Sequence, residues 1–353
     1  MTHDVENYDE IFSGTKEVTE NLKIDAKKLQ PWIDANVPDA GQIEKIEQFK
    51  GGQSNPTYKI ITKGKNLVLR RKPPGKLLPS AHAVDREYKV ITALYETDVP
   101  VPRTYGLCED EDVTGTAFFV MDCLDGDIFW DPMLPSLKKE ERIQIYQNKN
   151  KTLAALHKVD YKKVGLENYG KPGNYVARQV ARWSKQYRAS ETDNIDAMNN
   201  LIDWLPENIP DDDETSIVHG DYRLDNMILK NNKVIGVLDW ELSTLGHPIA
   251  DFSYHCLTWR TEPMYYDYKK LKELGVPNEV EYRDMYSEAT GKDLSNNWEF
   301  YMAFNIFKVA AICQGILGRV RDGTAASKHA EDRGMKVYPL SEGAWSIVEN
   351  NFK

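Results

Sequence analysis

The chain has 353 residues, with 45 lysines and arginines against 55 aspartates and glutamates, a formal net charge of −10, and 41% hydrophobic residues. Its length allows a substantial core and suits one two-part globular protein better than two unrelated modules. The acidic balance disfavours nonspecific nucleic-acid binding, which calls for a basic face, while leaving room for local basic clusters.

Residues 1–24 are polar, and the acidic start lacks the basic end and apolar stretch of a signal peptide, so a cytoplasmic location is expected. Residues 26–37 predict a short helix interrupted by Pro31 near its beginning. Strands are expected over residues 43–49, 58–62 and 67–70, then a helix over 84–95, then strands through Tyr105 and over 118–121. Residues 122–127 read as a connector, beyond which helical segments dominate. The exception is a hairpin in which Met227-Ile228-Leu229 and Val234-Ile235-Gly236-Val237-Leu238 flank a turn at Asn232-Lys233. Residues 304–317 form the longest apolar stretch; they contain Asn305, Lys308 and Gln314 and are too few to span a bilayer, so no membrane partner is expected. Cys108, Cys123, Cys256 and Cys313 form no Cys-x-x-Cys pair and read as reduced, mostly buried thiols.

The densest chemistry lies in His219-Gly220-Asp221-Tyr222-Arg223-Leu224-Asp225-Asn226, followed by Asp239-Trp240-Glu241. Phosphoryl transfer must orient an acceptor hydroxyl, hold ATP in line with it, and neutralise the moving charge with magnesium. Protein kinases meet these needs with His-Arg-Asp, four residues, Asn, and later Asp-Phe-Gly. Here Asp221, four residues and Asn226 reproduce the first spacing, and Asp239 follows 239 − 226 = 13 positions on. Gly220 and Asp239-Trp240-Glu241 depart from the protein-kinase pattern. The hairpin would carry Asn226 and Asp239 on adjacent strands, two oxygen ligands that suit magnesium.

Residues 219–226 with Val237-Leu238-Asp239-Trp240-Glu241 resemble the aminoglycoside phosphotransferase-like kinases, a group that includes choline-kinase relatives. Two further segments, Leu67 to His82 and Gly170-Lys171-Pro172-Gly173-Asn174-Tyr175, resemble a narrower branch: the kinase domains fused to acyl-CoA dehydrogenases of family members 10 and 11, and their stand-alone bacterial relatives. The resemblance runs from about residue 25 to the C-terminus. It implies an α+β, bilobal protein-kinase-like fold, with a small β-rich N-lobe over 25–121, a hinge at 122–127 and a larger, mainly helical C-lobe over 128–353. ATP and Mg2+ are the implied cofactors.

Within that frame Asp221 is the expected catalytic base, with Asn226 and Asp239 on the metal. Gly51, Gly52, Ser54 and Asn55 lie between the first two predicted strands; on their own they suit a hairpin turn, and beside the downstream motif they suit contact with phosphates. Arg70 stands where protein kinases place the lysine of Val-Ala-Ile-Lys, with Glu87 as its orienting partner and Lys72 as the rival cation. Met121 would floor the adenine pocket, and Cys123 and Leu124 would meet the base edge through their backbone. His219 and Asp251 are expected to support the catalytic loop.

The acceptor divides the reading. Trp259, Tyr265, Tyr266 and Tyr268 suit a cationic alcohol such as an aminoglycoside or choline. Arg178, Arg182 and Lys185 form a basic stripe that suits an anionic acceptor, CoA phosphates included, or is simply a solvated helix face. The branch resemblance implies a 4-hydroxyacyl-CoA or related hydroxy acid, with a separate acyl-CoA dehydrogenase-like enzyme acting downstream. A nucleotide-binding pseudokinase or regulatory module is the alternative outside catalysis.

Overall fold

The computed structural model describes residues 12–51, 55–75, 82–325, 327 and 329–353. The chain forms two compact units. One takes the residues up to Ala155 together with Asp160–Tyr169 and Asp221–Ser243; the other takes Leu156–Val159, Gly170–Gly220 and Thr244–Lys353. Compactness therefore groups residues 221–243 with the N-terminal sheet, where a cut at the hinge would place them with the helices.

The first unit is built on a six-stranded antiparallel sheet of order β1-β2-β3-β4-β6-β5. Its strands are β1 (Thr15–Lys16), β2 (Ile43–Phe49), β3 (Thr57–Thr62), β4 (Asn66–Arg71), β5 (Thr104–Cys108) and β6 (Phe118–Asp122). Strict alternation in β3 buries Tyr58, Ile60 and Thr62, the pattern of a strand with one face in the core. The helix Ala26–Asn36 is capped by Asp25, whose side chain accepts from the Lys27 amide at 2.8 Å. It brings fully buried Leu29 and Ile33 onto Tyr58, Ile60, Leu67, Leu69, Phe118 and Val120. That burial outweighs the backbone bond missing at Pro31.

The helix Val84–Leu94 buries Val84, Glu87, Val90, Ile91 and Leu94. This is an apolar face at helical spacing with a single carboxylate in it. A hairpin of β8 (Met227–Lys230) and β9 (Lys233–Val237) completes the unit's strands. Its two-residue turn falls on Asn231 and Asn232, both left-handed with φ of 51° and 61°, one position earlier than expected. Asparagine tolerates that conformation and lysine does not, so the register follows the residue that can twist with the strands. The connector after β6 is fastened to this hairpin, for Asp127 and Leu229 exchange both backbone bonds at 2.8 Å.

In the second unit the helices Tyr175–Ala189, Pro248–His255, Ala330–Met335 and Val337–Phe352 pack on Trp298–Arg321. This last helix has 24 residues with a mean hydropathy of 1.5 over its most apolar window. It is thus long enough by itself to cross a membrane, which corrects the shorter estimate: aromatic residues at its N-terminal end extend the apolar run. In this unit 72% of that window is buried. Its polar residues bind neighbouring helices and loops, Asn305 Nδ2 donating to the Ala250 carbonyl at 2.9 Å and Gln314 Nε2 to the Ser190 carbonyl at 2.6 Å. A two-stranded ladder, β7 (Ser216–Val218) with β10 (Thr244–Gly246), lies in the same unit.

A Cβ added at Gly126 would lie 2.5 Å from the Leu229 carbonyl oxygen and 2.7 Å from Ile228 Cγ2. Gly126→Ala is therefore expected to push the connector off the hairpin and lower the unfolding free energy by about 1–3 kcal/mol, read from the urea midpoint.

Candidate active site

A buried cation organises the first unit. Arg70, near the end of β4, is 8% exposed, and the register of the sheet sets it opposite Thr57 on one side and Phe119 on the other. Its Nε donates to Glu87 Oε1 at 3.0 Å and lies 2.8 Å from Oε2. One terminal nitrogen reaches Asp239 Oδ1 at 2.7 Å, and the other lies 3.3 Å from Thr57 Oγ1. Burial alone would lower the affinity of Arg70 for its proton, but the charges of Glu87 and Asp239 raise it, so it stays cationic. Glu87 is 1% exposed; burial pushes its carboxyl up, and the Arg70 guanidinium pulls it back. Between Arg70 and Lys72, it is Arg70 that takes Glu87, because Lys72 lies beyond the end of β4.

Asp239 follows β9 and is itself left-handed, with φ of 61°. It caps the short 3-10 turn Trp240–Leu242, whose fully buried Trp240 donates Nε1 to the Val237 carbonyl at 3.0 Å. Asn226 ends the 3-10 turn Leu224–Asn226 just before β8. Neither residue lies in a strand, as had been expected; they stand side by side at the open end of the hairpin, where the Leu238 amide donates to the Asn226 carbonyl at 2.9 Å. Asn226 Nδ2 donates to the Asp221 carbonyl at 2.9 Å and to Asp221 Oδ2 at 3.3 Å. Since its amide nitrogen is turned to Asp221, Asn226 presents Oδ1 elsewhere. Asp221 is partly solvent-accessible, with Arg223 Nε 3.7 Å from its carboxylate.

Asp221, Asn226, Asp239, Arg70, Glu87 and Asn55 thus form one continuous set within this unit. Asn226 Oδ1 and the Asp239 carboxylate are hard oxygen donors, a fit for magnesium, which keeps several waters and uses few protein ligands. Among the described residues no group of three or more His, Cys, Asp or Glu gathers as a richer metal site.

The second unit holds the backbone before Asp221. Asp251, in the helix Pro248–His255, accepts from the His219 amide and the Gly220 amide, each at 2.9 Å. Gly220 is left-handed with φ of 84°, a conformation glycine adopts without strain. His157 Nε2 lies 3.1 Å from Asp251 Oδ2, and His157 Nδ1 lies 2.6 Å from the Tyr286 hydroxyl. Burial would raise the Asp251 carboxyl, but bonds from His157 and the His219 amide hold it below the ordinary aspartate range. His219 is fully buried. Sequence reading missed His157 and Tyr286; neither stands in a motif, and only their contact with Asp251 reveals them.

Several expected contacts resolve differently. Asn55 is fully buried and donates to Glu87 Oε1 at 2.8 Å, so its side-chain amide braces the ion pair. Gly51 lies in the described loop, whereas Gly52 and Ser54 fall outside the described residues. Met121 is buried in β6. The Asp122 amide donates to the Arg103 carbonyl at 2.9 Å and the Cys123 amide to the Asn66 carbonyl at 3.4 Å, which shifts any connector donor for a base to Leu124 and beyond. Arg178 is not a waiting cation, for it binds the Gly173 carbonyl and, at 2.6 Å, the Lys171 carbonyl. Trp259 is core: it is 3% exposed, donates Nε1 to the Pro277 carbonyl at 2.9 Å and stacks on Tyr282. Tyr265 is buried likewise, while Tyr266, Tyr268 and Arg182 remain exposed.

Residues 45–302 match the model of the phosphotransferase enzyme family. The chain is 43% identical over 344 residues to acyl-CoA dehydrogenase family member 10 of Mus musculus, covering 95% of this chain and 32% of that protein. It is 38% identical to acyl-CoA dehydrogenase family member 11 of Homo sapiens, covering 96% of this chain and 45% of that protein. The chain therefore spans less than half the length of these curated relatives. The crystal structure of a candidate aminoglycoside phosphotransferase from Ralstonia eutropha superposes with a TM-score of 0.85 at 46% identity, covering 93% of this chain and 99% of that one.

Two outcomes follow. Because the Asp251 carboxyl titrates below its unfolded value near 3.9, it stabilises the fold above that pH, and the contribution is lost as pH falls through the lowered folded value. The urea midpoint of the native chain should thus drop more steeply between about pH 5 and pH 3 than that of Asp251→Asn, which should be less stable at neutral pH. Glu87→Ala, which strips Arg70 of its bidentate partner, should lower the unfolding free energy by about 3 kcal/mol, measured by chemical denaturation.

Proposed function

The chain belongs to the phosphotransferase enzyme family, and we propose that it transfers the γ-phosphoryl group of ATP to the hydroxyl of a hydroxyacyl-CoA, a 4-hydroxyacyl-CoA or a related hydroxy acid in particular. The reading is carried by the continuity of Asp221, Asn226, Asp239, Arg70 and Glu87 within one compact unit. Asp221 orients the acceptor hydroxyl and takes its proton late, since a loose transition state asks little of the nucleophile. Arg70, held at fixed reach by Glu87, grips phosphate oxygens with its guanidinium plane. Asn226 and Asp239 would hold magnesium, which when bound would supply charge neutralisation to the transferring group. Asp251 keeps the two amides before Asp221 in place, so the base does not wander. Leu124 and the residues after it offer backbone groups to the adenine.

The acceptor class draws on the relatives. Proteins named for acyl-CoA dehydrogenation share this region at 43% and 38% identity, which supports the choice of an acyl-CoA ester as acceptor. Phosphorylation turns a poor leaving group into a good one, a useful preparation for a dehydrogenase-like enzyme acting downstream. The Ralstonia eutropha likeness favours a second reading, an aminoglycoside as acceptor.

Incubation with ATP, magnesium and a panel of 3-, 4- and 5-hydroxyacyl-CoAs, free hydroxy acids, aminoglycosides and choline should yield a phosphorylated hydroxyacyl-CoA by mass spectrometry. Asp221→Ala should lower that turnover by at least about a hundredfold. Reaction of an amine alcohol alone would overturn the acceptor, and ATP consumption with no acceptor phosphorylated would favour a regulatory module.

A further inference from the structure

We infer that His82 is a positioning residue, which anchors the oxygen end of the Asn55 amide and so steadies, through Glu87, the reach of Arg70. The inference rests on Arg70 being the phosphate-binding cation proposed above.

Asn55 is fully buried, and among the described residues its side chain meets a partner at each end. Nδ2 donates to Glu87 Oε1 at 2.8 Å, and Oδ1 lies 3.1 Å from His82 Nδ1. A carboxamide is nearly symmetric in shape, so packing alone cannot tell its two orientations apart. Their electrostatics differ sharply. With Nδ2 toward Glu87 the contact is a charge-assisted bond. Flipped, it sets an amide oxygen against a carboxylate oxygen, and one must withdraw.

Glu87 selects the first, for its carboxylate only accepts. With Nδ2 on Glu87, Oδ1 faces His82, whose Nδ1 carries the proton in the tautomer that donates and so ties down the other end of the amide. Donors then converge on the Glu87 carboxylate from two sides: His82 donates to Asn55 and Asn55 to Glu87 Oε1, while Arg70 Nε donates to the same oxygen at 3.0 Å. A second tie returns to the same strand, since Thr57 Oγ1 donates to the Asn55 carbonyl at 3.0 Å and lies 3.3 Å from Arg70. His82 closes the segment of residues 67–82 that marks the narrower branch; residues 76–81 are outside the described residues. The site thereby gives that segment a task, since its first strand supplies Arg70 and its last residue holds the pair that aims it.

The backbone at His82 is left-handed, with φ of 59°. Asparagine and glycine both accept that conformation, which separates side chain from backbone. His82→Asn keeps an N–H close to where Nδ1 stands, whereas His82→Gly removes the donor. The full chain would be titrated with a non-hydrolysable ATP analogue and magnesium by calorimetry, with thermal unfolding recorded for each variant. His82→Gly should weaken binding roughly tenfold, the scale of one unmade buried hydrogen bond, and His82→Asn should restore it to within about twofold. Unchanged binding by His82→Gly would overturn the inference, as would a His82→Asn variant no better than His82→Gly. If His82→Gly does not fold, Asn55→Asp, an isostere that presents an oxygen to Glu87, should show the same loss, and native-like binding by it would overturn the inference equally. Failure of the native chain to bind the analogue at all would remove the premise about Arg70 as well, which sets that outcome apart.

Discussion

The constraint on which the first unit depends is the ion pair beneath its sheet. A guanidinium taken out of water must be matched by charge close at hand, or the burial is prohibitive. Arg70 is matched twice, by Glu87 from a helix and by Asp239 from the end of a hairpin. Those two contacts dictate where the helix Val84–Leu94 rests and where β9 must stop. They also explain the one carboxylate on an otherwise apolar helix face: Glu87 belongs there only because Arg70 does.

Much of this was legible in the residues. The spacing of Asp221, Asn226 and Asp239 indicated the chemistry, alternation and turn residues located β2, β3, β4, β6 and the hairpin strands to within a residue or so while β1 and β10 went unread, and Arg70 with Glu87 was an available pairing. What could not be read was direction. Residues two apart on a strand share a face, so Arg70 and Lys72 remained rivals until β4 was seen to end between them. The turn moved to Asn231-Asn232 because backbone twist, not composition, selects the left-handed positions. Periodicity also cannot say whether a cation is waiting or engaged, which is why Arg178 reads as a binding residue in sequence and as a loop brace in structure. Trp259 was similarly ambiguous, since aromatic residues line cores more often than ligand sites. His157 and Tyr286 had no sequence signal at all; a support reached through another support leaves no motif.

Engagement of Arg178 gives the segment of residues 170–175 a different sense. Its carbonyls are held by Arg178, the Gly173 amide donates to Thr215 Oγ1 at 3.1 Å, and the Asn174 amide donates to Asp213 Oδ1 at 2.7 Å. Two successive left-handed residues, Gly173 and Asn174, make that shape. The segment therefore stiffens the approach to β7, the strand that runs into His219. Both supports of the chain before Asp221, this one and Asp251, act on backbone.

Arg70 and Asp239 stand 169 positions apart in the chain. During synthesis the sheet strands and Glu87 emerge long before the carboxylate that completes the pair, so a nascent chain passes through a period in which Arg70 is only half matched. Closing so long a loop is entropically slow relative to local contacts. The first unit thus cannot mature as an early, self-sufficient module. The match to Arg70 is completed late, when residues 221–243 fold back onto strands made well before them.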